Sequence, residues 1–173
     1  MTGLRKTFLI FIAFCALMLP RLASAEVAVS FYSHEFGTSF PHAFVTVKGT
    51  LDRGGPAIDT NYGFTAKSVT PAILMGSVAG ILESVEAKYV TSSDRQFTIK
   101  ITDAQYDAMM ATVAKWRAIP GKSYSLNKRN CVHFVGQMAQ AVGLKVVFDR
   151  KLMKKPKGFL LSVIALNPWV KGS

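Results

Sequence analysis

The stretch with chemistry in it is Asn130-Cys131-Val132-His133-Phe134-Val135. The chain has two cysteines, Cys15 and Cys131, and Cys15 falls in an N-terminal segment with the features of a cleaved leader. Cys131 is then the one thiol of the remaining chain. Asn130 is a good N-cap residue, and the pattern after it predicts a helix that runs to Val142 and stops at Gly143. At a helix start, unpaired backbone N–H groups and the dipole favour a thiolate. The same N–H groups can hold an oxyanion formed by attack on a carbonyl. A thiol in this place is either a nucleophile or a small hydrophobe packed in the core.

A nucleophilic thiol needs a base, and the chain has three histidines, His34, His42 and His133. His133 lies two residues after Cys131, which on a helix turns it about 200° round the axis. It is a poor base and reads as a surface or packed helix residue. His34 falls in the loop expected over residues 33–41. His42 opens a strand, where it can be held rigidly against the helix start with its imidazole toward Cys131. The alternative for His42 is a strand-end residue that merely finishes the sheet.

The elements that must position these residues follow from the rest of the chain. Residues 1–25 read as a secretory signal: Arg5 and Lys6 precede the apolar run 8–19, and Ala23-Ser24-Ala25 suits a signal peptidase. The apolar run is too short to span a bilayer comfortably. Loss of Arg5, Lys6 and Arg21, with no acidic residue, lowers the formal net charge from +11 to +8. Outside the cytoplasm a basic surface favours anionic membrane or cell-wall polymer as partner over nucleic acid. A lone thiol kept in an oxidising compartment is exposed to mispairing, which argues for a use.

Half of the residues are hydrophobic, so the remainder folds. Its length suits one α+β domain over 26–173. Alternation predicts strands at 27–32 and 42–48, the turn Asp52-Arg53-Gly54-Gly55, and a further strand at 57–64, forming a hairpin with His42 at its entry. The glycine-containing segment 68–83 is a short helix or a loop with helical turns. Strands are expected at 86–90 and 95–101, joined by a turn. Thr102-Asp103 caps a helix carrying Tyr106, Met109, Met110, Val113 and Trp116, a stripe that reads as core packing, and Pro120-Gly121 ends it. A closing strand at 145–148, a basic run from Arg150 to Lys157, and an apolar segment 159–166 that packs back complete the chain. No repeat, metal-ligand spacing or phosphate-cradling glycine loop is present, and no cofactor is expected.

The run 130–135 resembles the Asn-Cys-Glu-His-Phe-Val signature of the lecithin–retinol acyltransferase-like branch of the circularly permuted papain-like superfamily, which also includes NlpC-type cell-wall peptidases. In such permuted proteins the histidine strand precedes the cysteine helix, as His42-Ala43-Phe44-Val45 precedes Cys131 here. The resemblance implies an antiparallel sheet packed against helices, Cys131 as nucleophile, His42 as base and a thioester intermediate. Val132 stands in place of the acyltransferase glutamate, which argues against their particular substrate. In similar proteins the residue orienting the base lies on the strand after the histidine strand. Asn61 and Thr65 share strand parity there and Asp59 is the nearby carboxylate; Asn61 is the chosen candidate, because an amide can accept from the imidazole and set its tautomer. Tyr124 lines the cleft or anchors its loop.

Three functions remain open. The first is an exported, periplasmic or secreted, monomeric cysteine hydrolase that cleaves an amide, most naturally in a peptidoglycan peptide. The second is a lipid or acyl-ester hydrolase or acyltransferase resting on a membrane through the basic run. The third is a non-catalytic binding domain on the same scaffold. A polar, open cleft suits a peptide; an apolar cleft near the basic run suits an acyl chain.

Overall fold

Val27, Val29, Phe31 and Ser33 are buried while the residues between them are half-exposed, so the first strand lays one face on a core. A computed structural model describes residues 26–35 and 40–173. The expected leader and Cys15 lie outside the described residues. Strands β1 (Val27–His34), β2 (His42–Gly49), β3 (Ile58–Ala66), β4 (Gly80–Glu83) and β5 (Asp94–Ile101) form one sheet in the order β4-β3-β2-β1-β5, with every pairing antiparallel. The described helices are α1 (Ala72–Met75), α2 (Ala87–Thr91), α3 (Asp103–Arg117), α4 (Cys131–Ala141) and α5 (Pro156–Leu166). The fold class is α+β, as the pattern of elements indicates.

One face of the sheet carries the core. Val29, Phe31, Val45, Val47, Phe97 and Phe64 meet Met109, Val113 and Trp116 of α3, Phe134, Val135 and Met138 of α4, and Phe159, Leu160 and Val163 of α5. Burial of each large side chain contributes about 1.5–3 kcal/mol. Helix α3 starts at the Thr102–Gln105 capping box, and its methionine and aromatic stripe is core, as read from its spacing. The β2–β3 turn is tied to α3: Asp103 accepts from the N–H groups of Asp52 and Arg53, and Arg53 forms a two-pronged pair with Asp107 at 2.6 and 2.7 Å.

Four expectations change. Strand β1 continues two residues past Tyr32, so His34 is on a strand and directly opposite His42. The segment 68–83 holds α1 and also the edge strand β4. Residues 87–91 are a turn of helix: Thr91 Oγ1 donates to the Lys88 carbonyl, and Ser92 and Ser93 hydroxyls donate to the Tyr89 carbonyl, closing the turn that alternation alone reads as a strand. Residues 145–148 form no strand, because the Asn167 amide accepts from the Lys145 N–H and donates to its carbonyl, taking both groups a ladder would use.

Candidate active site

Asn130 builds the start of α4. Its Oδ1 accepts from the N–H groups of Val132 at 2.9 Å and His133 at 3.3 Å, and its Nδ2 donates to the carbonyls of Leu126 and Met153. One buried amide thus joins the helix start to the loop before it and to the segment before α5. Cys131 follows as the first helical residue, 6% exposed. Burial pushes its thiol up to about 11, against the pull of the backbone N–H groups of Ala43, Val132 and Cys131 itself. The helix start was expected to favour the thiolate. A helix end is worth up to about 2 kcal/mol, whereas a rise from 9.0 to about 11 is a net cost of about 2.7 kcal/mol for the anion. Desolvation wins, and the resting sulfur is a thiol.

His42 opens β2, and Ala43, whose N–H faces the sulfur, is the next residue. His42 and Cys131 line the same cleft. Strand parity places the imidazole with Phe44, whose ring lies 6.1 Å away, on the face opposite the core, while α4 approaches the strand end from the core side. The ring sits over Gly63: a Cβ there would be 2.7 Å from Nε2. Burial, and then His34 across the strand pair, depresses His42 to about 4, so its imidazole is neutral at pH 7. Among the described residues no hydrogen bond joins His42 to Cys131. Proton transfer between them needs the imidazole to swing toward the sulfur or one bridging water.

Asn61 shares the face of His42, as its parity indicates, but it pairs with Thr46, four residues along β2 and roughly 13 Å from the strand start. Both ends of its amide are engaged by Val85: Nδ2 donates to the carbonyl at 3.0 Å and Oδ1 accepts from the N–H at 2.6 Å. Asn61 therefore anchors the chain after β4 and is not brought to His42. Asp59 pairs with Lys48 at the surface. Thr65, opposite His42 by continuation of the β2–β3 register, lines the cleft.

The other histidines separate cleanly. His133 completes the cap, its Nδ1 accepting from the Asn130 backbone N–H at 3.4 Å, and its ring stacks on Phe148; burial first and Arg129 second lower its pKa. His34 stacks on Tyr89 at 4.5 Å, its Nδ1 is 3.1 Å from the Ser93 hydroxyl, and Tyr89 also meets the His42 ring edge-on. Sequence reasoning put His34 in a loop and passed over Tyr89. The β1 alternation, carried two residues further, would have placed His34 on the strand, whereas nothing in five residues distinguishes α2 from a strand. Tyr124 does both things expected of it: it lines the cleft and packs on Phe64, and Val78 holds its backbone through two hydrogen bonds of 2.9 Å. Its phenol is raised by burial and then by the adjacent Cys131, so it stays a neutral O–H donor.

The cleft has a volume of about 870 Å³. Val69, Ile73, Leu74, Leu126 and Met153 give it an apolar wall, Glu83, Ser84 and Glu86 a polar one, and Lys154 brings the basic run to its rim. No family model, curated protein or solved structure matches the chain.

Proposed function

We propose that the protein is an exported cysteine hydrolase of the permuted papain-like type, with Cys131 as nucleophile and His42 as base. The observation that supports it is the meeting of a helix-start thiol and a strand-start imidazole in one cleft, with the sulfur against the N–H of the residue that follows His42. In the reaction His42 accepts the Cys131 proton as Sγ bonds to the carbonyl carbon. Asn130 Oδ1 holds the N–H groups of Val132 and His133, so the Cys131 N–H at the start of α4 and the Tyr124 hydroxyl are the donors left for the developing oxyanion. Collapse breaks the bond to the leaving group, which takes the proton from His42. Water, deprotonated by His42, then releases the acyl group from sulfur.

The apolar wall and the nearby basic run favour an acyl ester or amide with a fatty chain. Glu83 and Glu86 support the second reading, a peptidoglycan peptide whose ammonium group they would pair with. The test is incubation with p-nitrophenyl esters of short and long fatty acids and, separately, with peptidoglycan fragments, followed by mass spectrometry. The expected result is an acyl adduct on Cys131 that forms faster with long chains, disappears in Cys131→Ala, and forms about 10²–10⁴-fold more slowly in His42→Ala. Cleavage of peptidoglycan alone would select the second reading. No adduct and no cleavage with either substrate would leave a binding domain.

A further inference from the structure

The connection between β3 and β4, residues 67–79, contains no acidic residue. It exposes Val69 at 59%, Leu74 at 77% and Met75 at 90%. Single exposed apolar side chains are ordinary, but these three share one short stretch, and Val69 and Leu74 form the lip of the cleft that Lys154 also lines. Lys154 belongs to a run in which Arg150, Lys151, Lys154 and Lys155 are all exposed, and no ion pair among the described residues engages any of them. Asp149, the acidic residue beside them, accepts from the Lys151 backbone N–H. The lip is thus apolar on one side and cationic on the other.

We infer that this lip docks on an anionic phospholipid bilayer. Val69, Leu74 and Met75 enter the interface and the four cations meet the headgroups. Apolar side chains gain by leaving water, and cations gain near an anionic surface, so the two halves of the lip add on the same bilayer. A second copy of the chain is a poorer occupant, because a twofold contact here would set like charges together. Docked in this way, the cleft opens toward the acyl region, so a chain can reach Cys131 without crossing water. Only that last consequence rests on the fatty-acyl reading above; the docking needs no chemistry.

The experiment is flotation of the Cys131→Ala protein, as its host processes it, with vesicles of equal parts phosphatidylglycerol and phosphatidylethanolamine, and with phosphatidylcholine vesicles. The expected result is flotation with the anionic vesicles only. Leu74→Glu/Met75→Glu and Lys151→Glu/Lys154→Glu/Lys155→Glu should each weaken it more than about tenfold with unchanged thermal melting, since all five side chains are exposed. Protein that stays in solution, binds phosphatidylcholine equally, or binds unchanged in both variants overturns the inference. So does a dimer that the Leu74→Glu/Met75→Glu change dissociates. Flotation by a protein whose native form acylates nothing would keep the docking surface and remove the hydrolase.

Discussion

With its thiol at about 11 and its imidazole at about 4, the Cys131–His42 pair rests as two neutral groups. Each is held neutral by the same cause, burial beside one cleft. The thiolate must then form during attack and not before it. Iodoacetamide modification of the free protein should accordingly keep rising with pH past the ~8.5 of an ordinary thiol, with the same profile in His42→Ala. A plateau below that pH in the wild type would show a preformed ion pair and contradict the resting state described. Gly63 carries a second prediction. An alanine there brings a Cβ within 2.7 Å of His42 Nε2, so the imidazole must move. A misplacement of about 1 Å costs about 10²-fold in rate. Acylation of Cys131 in Gly63→Ala should fall by about that factor while the melting temperature changes little; an unchanged rate would mean that His42 does not work from its place over Gly63.

Helix α4 works as a positioning device because the Asn130 side chain, from a buried position, hydrogen-bonds four backbone groups. Asn130→Ala loses a cap worth about 1 kcal/mol and leaves buried carbonyls unpaired at about 1–3 kcal/mol each. The expected loss is about 3 kcal/mol by urea denaturation, with Asn130→Asp, which keeps the cap acceptor, falling between. A loss within 0.5 kcal/mol, roughly that of an ordinary surface change, would deny the amide this role. Helices α3 and α4 were legible in the sequence because cap, period and stop all lie within one stretch. Strand β4 and helix α2, four and five residues long, are too short to show a period. Residues 145–148 are apolar enough to read as a strand, yet the Asn167 side chain, distant in sequence, takes both backbone groups of Lys145.

At the scale of the whole molecule, the depressed His42 links folding to acid. Its ordinary value is 6.5, and the folded state lowers it to about 4. As pH falls below about 6.5 the unfolded chain takes the proton first, so stability is full above that pH and is lost on the way down to about 4. The shift corresponds to roughly 3 kcal/mol, and His133, lowered in the same direction by burial, adds with the same sign. Urea midpoints measured from pH 7 to pH 4 should fall steeply in the wild type and less in His42→Gln. Equal slopes in the two proteins would show that the imidazole is not desolvated. His42 is buried on the face opposite the core and also lines the cleft, so the group that supports the proposed chemistry is also a weak point of the fold in acid.

The sequence by itself determined the α+β pattern, the cap and helix that present Cys131, the strand that presents His42, and the methionine and aromatic stripe of α3. These depend on neighbours within a turn or a strand length, where spacing is a physical constraint. Only the tertiary structure decided that the thiol rests protonated, that Asn61 serves Val85 and not His42, that His34 and Tyr89 flank the imidazole, and that the cleft has an apolar lip beside free cations. Each of those depends on desolvation or on contacts between residues far apart in the chain, and neither is carried by local spacing.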